Sequence, residues 1–420
     1  MLSNRRIIFA AAIVICIRWF TARAADDVVL VKGERVAADV TGGQGMWSVG
    51  GTTYRANEVL CIRFSPDPAP DHIPAGVFIR GGSLLTGTLN TRKGDSADIS
   101  SNVFGSIKIN KDEVSAAFFP QKADQPENMP ELSRYASLQA AALGSPSASL
   151  KPGQQCRMRF INGDEQIAQR ISRIDGETIS YERKGGGLDS AARATVRLVE
   201  ITVPELPAAT PEDERFGPET IVRLKSGDLL RGRVVRLTDK ALVLRTTYMG
   251  EKTLDRSTLA ALFPAGASGA NAGGGIAWLS SQTPAKNIYT PLFDSEFPAR
   301  MDLSVDGGSL TAGTLVCERG IGVHSKSLLS YTLSGAPATF VAVVGIDAET
   351  KGRGEVSARV LADGKEVWSA ASISAKDPPK IVSVNLGVAR TLDLEVDFGP
   401  DNDDSGDHLD WGWAAVVGGK

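Results

Sequence analysis

Val222-Arg-Leu-Lys-Ser-Gly-Asp-Leu-Leu-Arg-Gly-Arg-Val234 is the stretch of this 420-residue chain that best reveals its fold. Apolar and polar residues alternate on both sides of Ser-Gly-Asp, which is typical of two β-strands joined by a tight turn. A close copy, Val77-Phe-Ile-Arg-Gly-Gly-Ser-Leu-Leu-Thr-Gly-Thr-Leu89, lies earlier in the chain. Because self-similarity of this kind marks a repeated supersecondary unit, the repeats predict the fold of this part of the chain.

The repeat extends to four units. Both copies later end in similar segments, Ala116-Ala-Phe-Phe-Pro120 and Ala260-Ala-Leu-Phe-Pro264, and weaker copies carry the turns Lys32-Gly-Glu34 and Asn162-Gly-Asp164. We predict β units at residues 25–66, 75–120, 154–203 and 218–264.

Glycines suggest how each unit closes. Gly163 and Gly227 suit turn positions with positive φ, whereas Gly87 and Gly232, inside strand patterns, suit places where a small sheet bends. We therefore predict a small SH3-like or Sm-like β-barrel for each unit. The pattern V-x-L-x-[NS]-G-D-x-L-x-G resembles repeats of exported bacterial proteins, and this resemblance implies a scaffold rather than a catalytic role.

Two segments have linker composition. Residues 121–153 are rich in Pro, Ala and Ser, and residues 265–284 begin with a tract of Gly, Ala and Ser. We treat both as linkers, the second one marking the boundary of a different domain.

The N-terminus has the pattern of an export signal. Arg5 and Arg6 precede the apolar residues 7–17, and Ala22-Arg-Ala24 supplies a small-residue cleavage site. We predict that residues 1–24 are a signal peptide and that the mature protein is periplasmic or secreted, without a transmembrane span. The alternative is an N-terminal anchor helix, although Arg18 interrupts the run short of the ~20 apolar residues that a span needs.

The charge of the chain argues against a nucleic-acid-binding protein, and its cysteine content argues against a disulfide-stabilised fold. The chain has 49 Asp and Glu against 46 Lys and Arg, a formal net charge of −3, so no basic excess is available for a nucleic-acid partner. Removal of the signal peptide leaves three cysteines, Cys61, Cys156 and Cys317. An odd number spread over different segments is not a disulfide framework, and the sequence leaves their pairing open.

Residues 285–420 have a different character. Alternating segments such as Phe340-Val-Ala-Val-Val-Gly-Ile346 and Leu392-Asp-Leu-Glu-Val-Asp-Phe398 recur at regular spacing. Asp363-Gly364 lies between two further strand patterns, which is a strong hairpin signal. These features predict a β-sandwich.

An ordered set of motifs adds a family resemblance. The motifs are Glu318-Arg-Gly-Ile-Gly-Val-His-Ser325, Tyr331-Thr-Leu333, Val344-Gly-Ile-Asp347, Gly352-Arg-Gly354, Asp363-Gly-Lys365, Trp368 and Asp407-His-Leu-Asp-Trp411. In this order they resemble the NPCBM/NEW2 family of carbohydrate-binding modules. The resemblance implies a galactose-binding-like jelly-roll sandwich, so that the whole chain is all-β, and a glycan or cell-envelope polysaccharide as partner.

Sugar recognition needs an aromatic face for the pyranose ring and planar polar groups for its hydroxyls. Residue types of this kind occur in the motifs, and the candidate carbohydrate-binding residues are His324, Asp347, Arg353, Trp368, Asp410 and Trp411. The alternative for the two tryptophans is the sandwich core, and for His324 it is a structural hydrogen bond.

One acidic turn resembles half of a calcium loop. Asp401-Asn-Asp-Asp-Ser-Gly-Asp407 has oxygen side chains at its first, third and fifth positions and glycine at the sixth, but Gly412 stands at the twelfth, where a bidentate carboxylate belongs. Candidate calcium ligands are Asp403, Asp404 and Asp407, and the alternative is a solvated turn. No other cofactor is expected.

No catalytic residues are assigned, because nucleophile-elbow, zincin, phosphate-loop and dinucleotide motifs are missing from the sequence. The leading hypothesis is an exported, non-catalytic carbohydrate-binding or cell-envelope interaction protein. Two alternatives stay open: a subunit of a glycoside hydrolase, which needs only two carboxylates, and a structural envelope protein whose sandwich binds a protein partner.

Overall fold

The computed structural model describes residues 25–64, 75–80, 82–91, 95–120, 155–201, 215–264, 275–292 and 296–418. The predicted signal peptide at 1–24 and the predicted linker at 121–153 lie outside the described residues, as does 265–274 of the second linker. No helix among the described residues is long and apolar enough to cross a membrane.

The first two repeat units are built from short strands with one 3-10 turn before the closing strand. The first contains β1 (Asp27–Leu30), β2 (Arg35–Ala37), β3 (Val40–Gly43), β4 (Met46–Val49), β5 (Thr52–Arg55), the turn Ala56–Glu58 and β6 (Val59–Arg63). The second contains β7 (Gly76–Ile79), β8 (Ser83–Thr91), β9 (Ser96–Ser101), β10 (Gly105–Asn110), the turn Lys111–Glu113 and β11 (Val114–Phe118).

The other two units each have five strands, in the same order as the second unit. The third contains β12 (Cys156–Phe160), β13 (Glu165–Ile174), β14 (Thr178–Arg183), β15 (Leu188–Ala192), the turn Arg193–Thr195 and β16 (Val196–Ile201). The fourth contains β17 (Glu219–Leu224), β18 (Leu229–Leu237), β19 (Ala241–Thr246), β20 (Gly250–Asp255), the turn Arg256–Thr258 and β21 (Leu259–Pro264).

Glycine sets the first hairpin of every unit. Gly33, Gly82, Gly163 and Gly227 have φ of 86°, 89°, 86° and 92°, a region that residues with a Cβ rarely adopt. Each unit closes because its last strand pairs with its first strand: β1 with β6, β7 with β11, β12 with β16 and β17 with β21. Among the described residues, the prediction of an all-β fold with small barrel-like units is confirmed.

The units are joined by strand pairing as well as by the chain. β6 of the first unit pairs with β21 of the fourth, and β11 of the second pairs with β16 of the third. Single-residue pairings of β18 with β3 and β8, and of β13 with β8, connect the units further. Between the fourth and second units, the Asp228 carboxylate accepts hydrogen bonds of 2.8 Å from the Thr86 amide and hydroxyl.

The C-terminal sandwich consists of two main sheets. One has the order β24-β27-β34-β29-β32 with β22 paired to β34, the other has the order β23-β28-β33-β30-β31, and β25 and β26 form a hairpin. The strands are β22 (Ile276–Trp278), β23 (Lys286–Tyr289), β24 (Arg300–Met301), β25 (Leu310–Ala312), β26 (Leu315–Cys317), β27 (Gly320–His324), β28 (Ser327–Thr332), β29 (Ala338–Ile346), β30 (Glu355–Ala362), β31 (Lys365–Ser374), β32 (Lys380–Gly387), β33 (Thr391–Phe398) and β34 (His408–Gly418).

The sandwich begins earlier than the sequence predicted. β22, at residues 276–278, falls in the stretch assigned to the second linker, but it pairs with β34 and is buried. Trp278 explains the difference: its ring lies under the guanidinium of Arg319, and its Nε1 donates to the Pro264 carbonyl. An anchored tryptophan ties this short strand both to the fourth unit and to the sandwich.

The sheet that contains β29 and β34 is buried on both faces. Val344, Ala414 and Val416 face the sandwich core, whereas the alternate residues Val343 and Ala415 belong to a second apolar cluster. That second cluster, called here the junction cluster, also contains residues from all four repeat units, such as Leu60, Phe118, Leu198 and Phe263. The repeat units and the sandwich therefore pack as one body rather than as separate modules on a linker.

A buried glutamate lies in the junction. Glu318 Oε1 lies 3.5 Å from Arg63 Nε and 3.8 Å from Arg223 Nη1, and its Oε2 accepts a 3.2 Å hydrogen bond from Trp413 Nε1. One carboxylate of the sandwich thus pairs with arginines from the first and fourth units.

Candidate functional site

The six predicted carbohydrate-binding residues lie at different depths. Arg353 is exposed and Trp368 is half-buried, whereas the other four, His324, Asp347, Asp410 and Trp411, are buried. Buried residues can shape a site, but they offer a ligand little surface in this conformation.

Trp411 belongs to the sandwich core. Its side chain is 0% exposed, and its ring packs edge-on against Phe340 and Trp368, each with a centroid distance of 6.2 Å. Of these rings, only the half-buried one of Trp368 reaches solvent. A sugar could therefore contact Trp368 without a change in structure, but not Trp411.

Asp347 and Asp410 form a carboxyl pair beneath a turn. Asp347 Oδ1 accepts the Glu349 amide at the start of the 3-10 turn Ala348–Thr350, and the Thr311 amide lies within hydrogen-bonding distance of an oxygen of each aspartate. Burial raises the pKa of Asp347, and burial together with the Asp347 charge raises the pKa of Asp410 well above its usual range. The pair therefore shares a proton and supports the turn that carries Glu349.

That turn lies at one end of the sandwich, where β27 and β29 end and β34 begins. A set of aromatic and ionisable side chains meets there, which we call the loop-end cluster: Tyr289, Phe297, Asp306, His324, Glu349 and His408. Phe297 stacks on His324 at 4.4 Å, Tyr289 packs edge-on at 6.0 Å from the same ring, and His408 lies 5.3 Å from it.

Glu349 organises the polar half of the cluster. Its carboxylate accepts hydrogen bonds from His408 Nδ1 at 2.8 Å, from the Ser304 hydroxyl at 2.5 Å and from the Asp306 amide at 3.2 Å. Burial alone would raise the pKa of Glu349, but these hydrogen bonds outweigh it and hold the pKa below its usual value. Glu349 is therefore an ionised acceptor at neutral pH.

His324 is placed as a neutral acceptor. Its Nδ1 lies 2.6 Å from the Ser325 carbonyl oxygen, so that nitrogen carries the hydrogen and Nε2 keeps its lone pair. Burial, the largest effect, lowers the pKa of the ring, which keeps it uncharged at pH 7.

The same end of the sandwich also holds the potential metal ligands. Among the described residues, ligand atoms of Asp306, Glu349 and His408 lie within 4.8 Å of one another, and the predicted calcium ligands do not form such a group. Asp403 Oδ1 accepts bonds within its own turn, from the Asp404 and Ser405 amides, and both Asp407 oxygens accept bonds from Ser325 and Glu355. Calcium binding at Asp403, Asp404 and Asp407 stays a prediction.

The acidic turn nevertheless borders the site. Burial and then the charge of Asp404 raise the pKa of Tyr289. The Asp404 carboxylate therefore lies close to the cluster. Arg353 packs on the other side of the turn, where its Nε donates to the Thr350 carbonyl and its Cβ approaches Gly406. Arg353 is thus an exposed charge and Asp404 a half-buried one at this acidic turn.

Sequence reasoning identified His324 and Asp347 but did not assign Phe297, Asp306, Glu349 or His408 to a site. Two features could have pointed to the missed residues. His408 lies inside the last motif, and Glu349 comes two residues after Asp347, which caps a turn. Phe297 and Asp306 lie in irregular segments, whose meeting point no periodic pattern encodes.

Comparison with known proteins agrees with the sandwich assignment. The NPCBM/NEW2 domain model matches residues 276–417. A Renibacterium salmoninarum protein named "Putative endo-alpha-N-acetylgalactosaminidase" is 30% identical over 91 residues, which are 22% of this chain and only 6% of that relative.

Two solved structures from Clostridium perfringens are similar to the chain. One is "CBM51 from Clostridium perfringens GH95 in complex with methyl-galactose", 25% identical, covering 34% of this chain and 99% of that one with a TM-score of 0.31. The other, a ZmpB fragment of "CBM51-2 in complex with GlcNAc and INT domains", is 22% identical, covering 47% of this chain and 40% of that one with a TM-score of 0.31. The family match includes β22, ahead of the predicted start at residue 285. Residues 276–417 of this chain are an NPCBM/NEW2 domain, a member of a carbohydrate-binding-module family.

Proposed function

We propose that the protein is an exported, non-catalytic glycan-binding protein and that the loop-end cluster contacts the sugar. The observation that carries the proposal is the stack of Phe297 on His324 beside the ionised Glu349 carboxylate. Aromatic edges and faces suit the C–H surface of a pyranose, and the carboxylate with neighbouring imidazoles can accept from and donate to its hydroxyls.

The charge at this end favours a neutral or amino sugar over an acidic one. Asp306, Glu349 and Asp404 place carboxylates around the cluster, and His324 is uncharged. A uronic or sialic acid would meet these three carboxylates, whose negative charge disfavours its binding.

The experiment is a glycan panel tested on the full chain, with and without a chelator. The full chain is needed because the sandwich alone would expose its half of the junction cluster. We expect binding that Glu349→Gln and His408→Ala weaken at least tenfold. Glu395→Gln is the matched control, because it removes a glutamate charge at the exposed pair with Arg359.

The outcomes separate the alternatives. Absence of binding to every glycan, at high protein concentration, would contradict the proposal and favour the structural envelope protein whose sandwich binds protein. Release of reducing sugar by the full chain would favour the glycoside-hydrolase subunit. Loss of binding with chelator, restored by calcium, would support a bound calcium ion, held either by Asp403, Asp404 and Asp407 or by Asp306, Glu349 and His408.

Export is a separate part of the proposal. Arg5 and Arg6, the apolar residues 7–17 and Ala22-Arg-Ala24 support a cleaved signal peptide and a periplasmic or secreted mature chain. N-terminal sequencing of the protein from the expressing cell should begin at Ala25, and a chain that still begins at Met1 would contradict cleavage.

A further inference from the structure

A cleft lies where the first repeat unit meets the sandwich. It has a volume of about 440 Å³, within the range of pockets that hold small ligands. The first unit contributes Leu30, Lys32, Tyr54 and Glu58, and the sandwich contributes Thr339 and Ser383. Neither region forms this cleft without the other.

The two sides of the cleft are fixed against each other. Gly33, at the tip of the first hairpin, approaches Ser383 so closely that an added Cβ would lie 2.9 Å from the Ser383 Cβ. The Val31 amide donates to the Glu58 carbonyl at 3.0 Å, and the Glu58 carboxylate accepts the Arg55 amide at 2.8 Å. The lining is therefore largely formed before any ligand enters.

The chemistry of the lining fits an uncharged, hydroxyl-rich ligand. Lys32 forms an ion pair with Glu34 at 2.7 Å and Glu58 is negative, so the lining residues offer an anionic ligand no unpaired cation. Tyr54, Thr339 and Ser383 add three hydroxyls. The Tyr54 ring beside Leu30 supplies the apolar surface that a sugar ring needs. A nucleotide or a lipid chain would lack a matching cationic or continuous apolar surface.

The position of the cleft relates it to the loop-end cluster. Thr339 lies near the start of β29, and Ile346 ends the same strand directly before the capping Asp347. Seven residues at a rise of ~3.3 Å each separate the two ends by about 23 Å. A single extended oligosaccharide could therefore reach both places.

We infer that this cleft is a second saccharide site, which takes a neutral sugar unit between the first repeat unit and the sandwich. The inference goes beyond the proposed function, which concerns the loop-end cluster alone. Simultaneous occupation of both sites by one chain would make binding of long glycans tighter than binding of monosaccharides, because the second contact becomes intramolecular.

The test counts binding sites on the full chain by calorimetry and equilibrium dialysis. The probes are methyl β-galactoside, N-acetylgalactosamine, N-acetylglucosamine and the oligosaccharides chitohexaose and β-1,4-galactohexaose. For a monosaccharide that binds, we expect two equivalents on the wild type, one on Tyr54→Ala, one on His408→Ala and none on the double variant. The matching hexasaccharide should lose at least tenfold in affinity with Tyr54→Ala.

A second cleft variant guards against a folding defect. Ser383→Trp fills the cleft from an exposed strand position, and Ser369→Trp, exposed on β31, is its matched control. Only the former should reduce hexasaccharide affinity, and both variants should keep the circular dichroism spectrum of the wild type. One equivalent on the wild type, unaffected by Tyr54→Ala and Ser383→Trp but removed by His408→Ala, would overturn the cleft site and leave the loop-end site standing. A wild type that binds none of the probes would overturn both.

Discussion

Two glutamates of the same sandwich show what separates an anchor from a ligand group. Glu318 in the junction and Glu349 at the loop end each accept a hydrogen bond from an aromatic N–H, that of Trp413 and that of His408. Glu318 is enclosed by arginines of two repeat units and by apolar side chains, whereas Glu349 stays 17% exposed among loops. The same chemical group joins the repeat units to the sandwich in one place and keeps solvent-exposed surface in the other.

The largest effect should come from removing the anchor. Glu318→Ala leaves Arg63 and Arg223 buried with less compensating charge, so we expect a loss of about 3–5 kcal/mol in the free energy of unfolding. Urea unfolding measures it. Glu395→Ala, at an exposed ion pair, should cost about 1 kcal/mol or less. Equal costs for both variants would remove the distinction between the two glutamates.

The second largest loss of stability is expected from a substitution of Trp411, whose side chain belongs to the sandwich core. Trp411→Phe leaves a cavity but also removes an indole N–H that has no partner among the described residues, so we expect a cost of about 1–3 kcal/mol. Glycan affinity of the folded variant should not change, as titration can show. Weaker binding at unaltered stability would instead make Trp411 a ligand contact.

The pH dependence of stability should reveal Asp407. Burial raises the pKa of this carboxyl to about 6. The folded state then binds the proton more tightly than the unfolded state, so stability falls by about 2 kcal/mol as the pH rises from about 4 to about 6. Denaturation across this range should show a decrease in stability that is about 2 kcal/mol smaller in Asp407→Asn than in the wild type.

Asp363 supplies a control of opposite sign. The Arg390 and Thr391 amides lower its pKa, so its contribution is present above the unfolded pKa and is lost as the pH falls through the folded one. Asp363→Asn should leave the step between about pH 4 and 6 in place. A variant pair with identical profiles would refute the assignment to Asp407.

The smallest effect is expected at Asp410. Burial and the Asp347 charge raise the pKa of Asp410, so the proton shared by the pair lies on Asp410. Asp410→Asn then replaces one neutral group by another of the same shape, and stability should change by about 1 kcal/mol or less. Thermal unfolding of the wild type and of Asp410→Asn at pH 7 measures this change in stability. A loss of several kcal/mol would mean that Asp410 is ionised, with the shared proton on Asp347.

Local sequence patterns predicted the strands and turns, but they predicted less about which strands pair with each other. The Ser-Gly-Asp hairpins and the Asp363-Gly364 turn follow from period-two alternation and from glycine, which are properties of neighbouring residues. Pairing of β6 with β21 joins strand edges far apart in sequence, and alternation does not specify an edge partner. The sequence also did not predict what covers the second face of β34. A continuous apolar run fits any strand that is buried on both sides and does not specify its neighbours.

The candidate site divides in the same way. His324 and Asp347 lie at strand ends inside ordered motifs and could be selected from sequence. Glu349 reaches His408 only because β29 and β34 are neighbours, and Phe297 reaches His324 through an irregular segment. Contacts that depend on sheet order and loop path are set by the whole fold.

The pairing of β6 with β21 has a consequence for how the chain acquires its structure. Ile62 pairs with Leu262, so this contact closes a loop of about 200 residues, which has an entropic cost. The contact can form only after the fourth unit has been synthesised. Contacts of such long range slow folding. The first unit should consequently gain protection from hydrogen exchange late, together with the sandwich, even though it is made first.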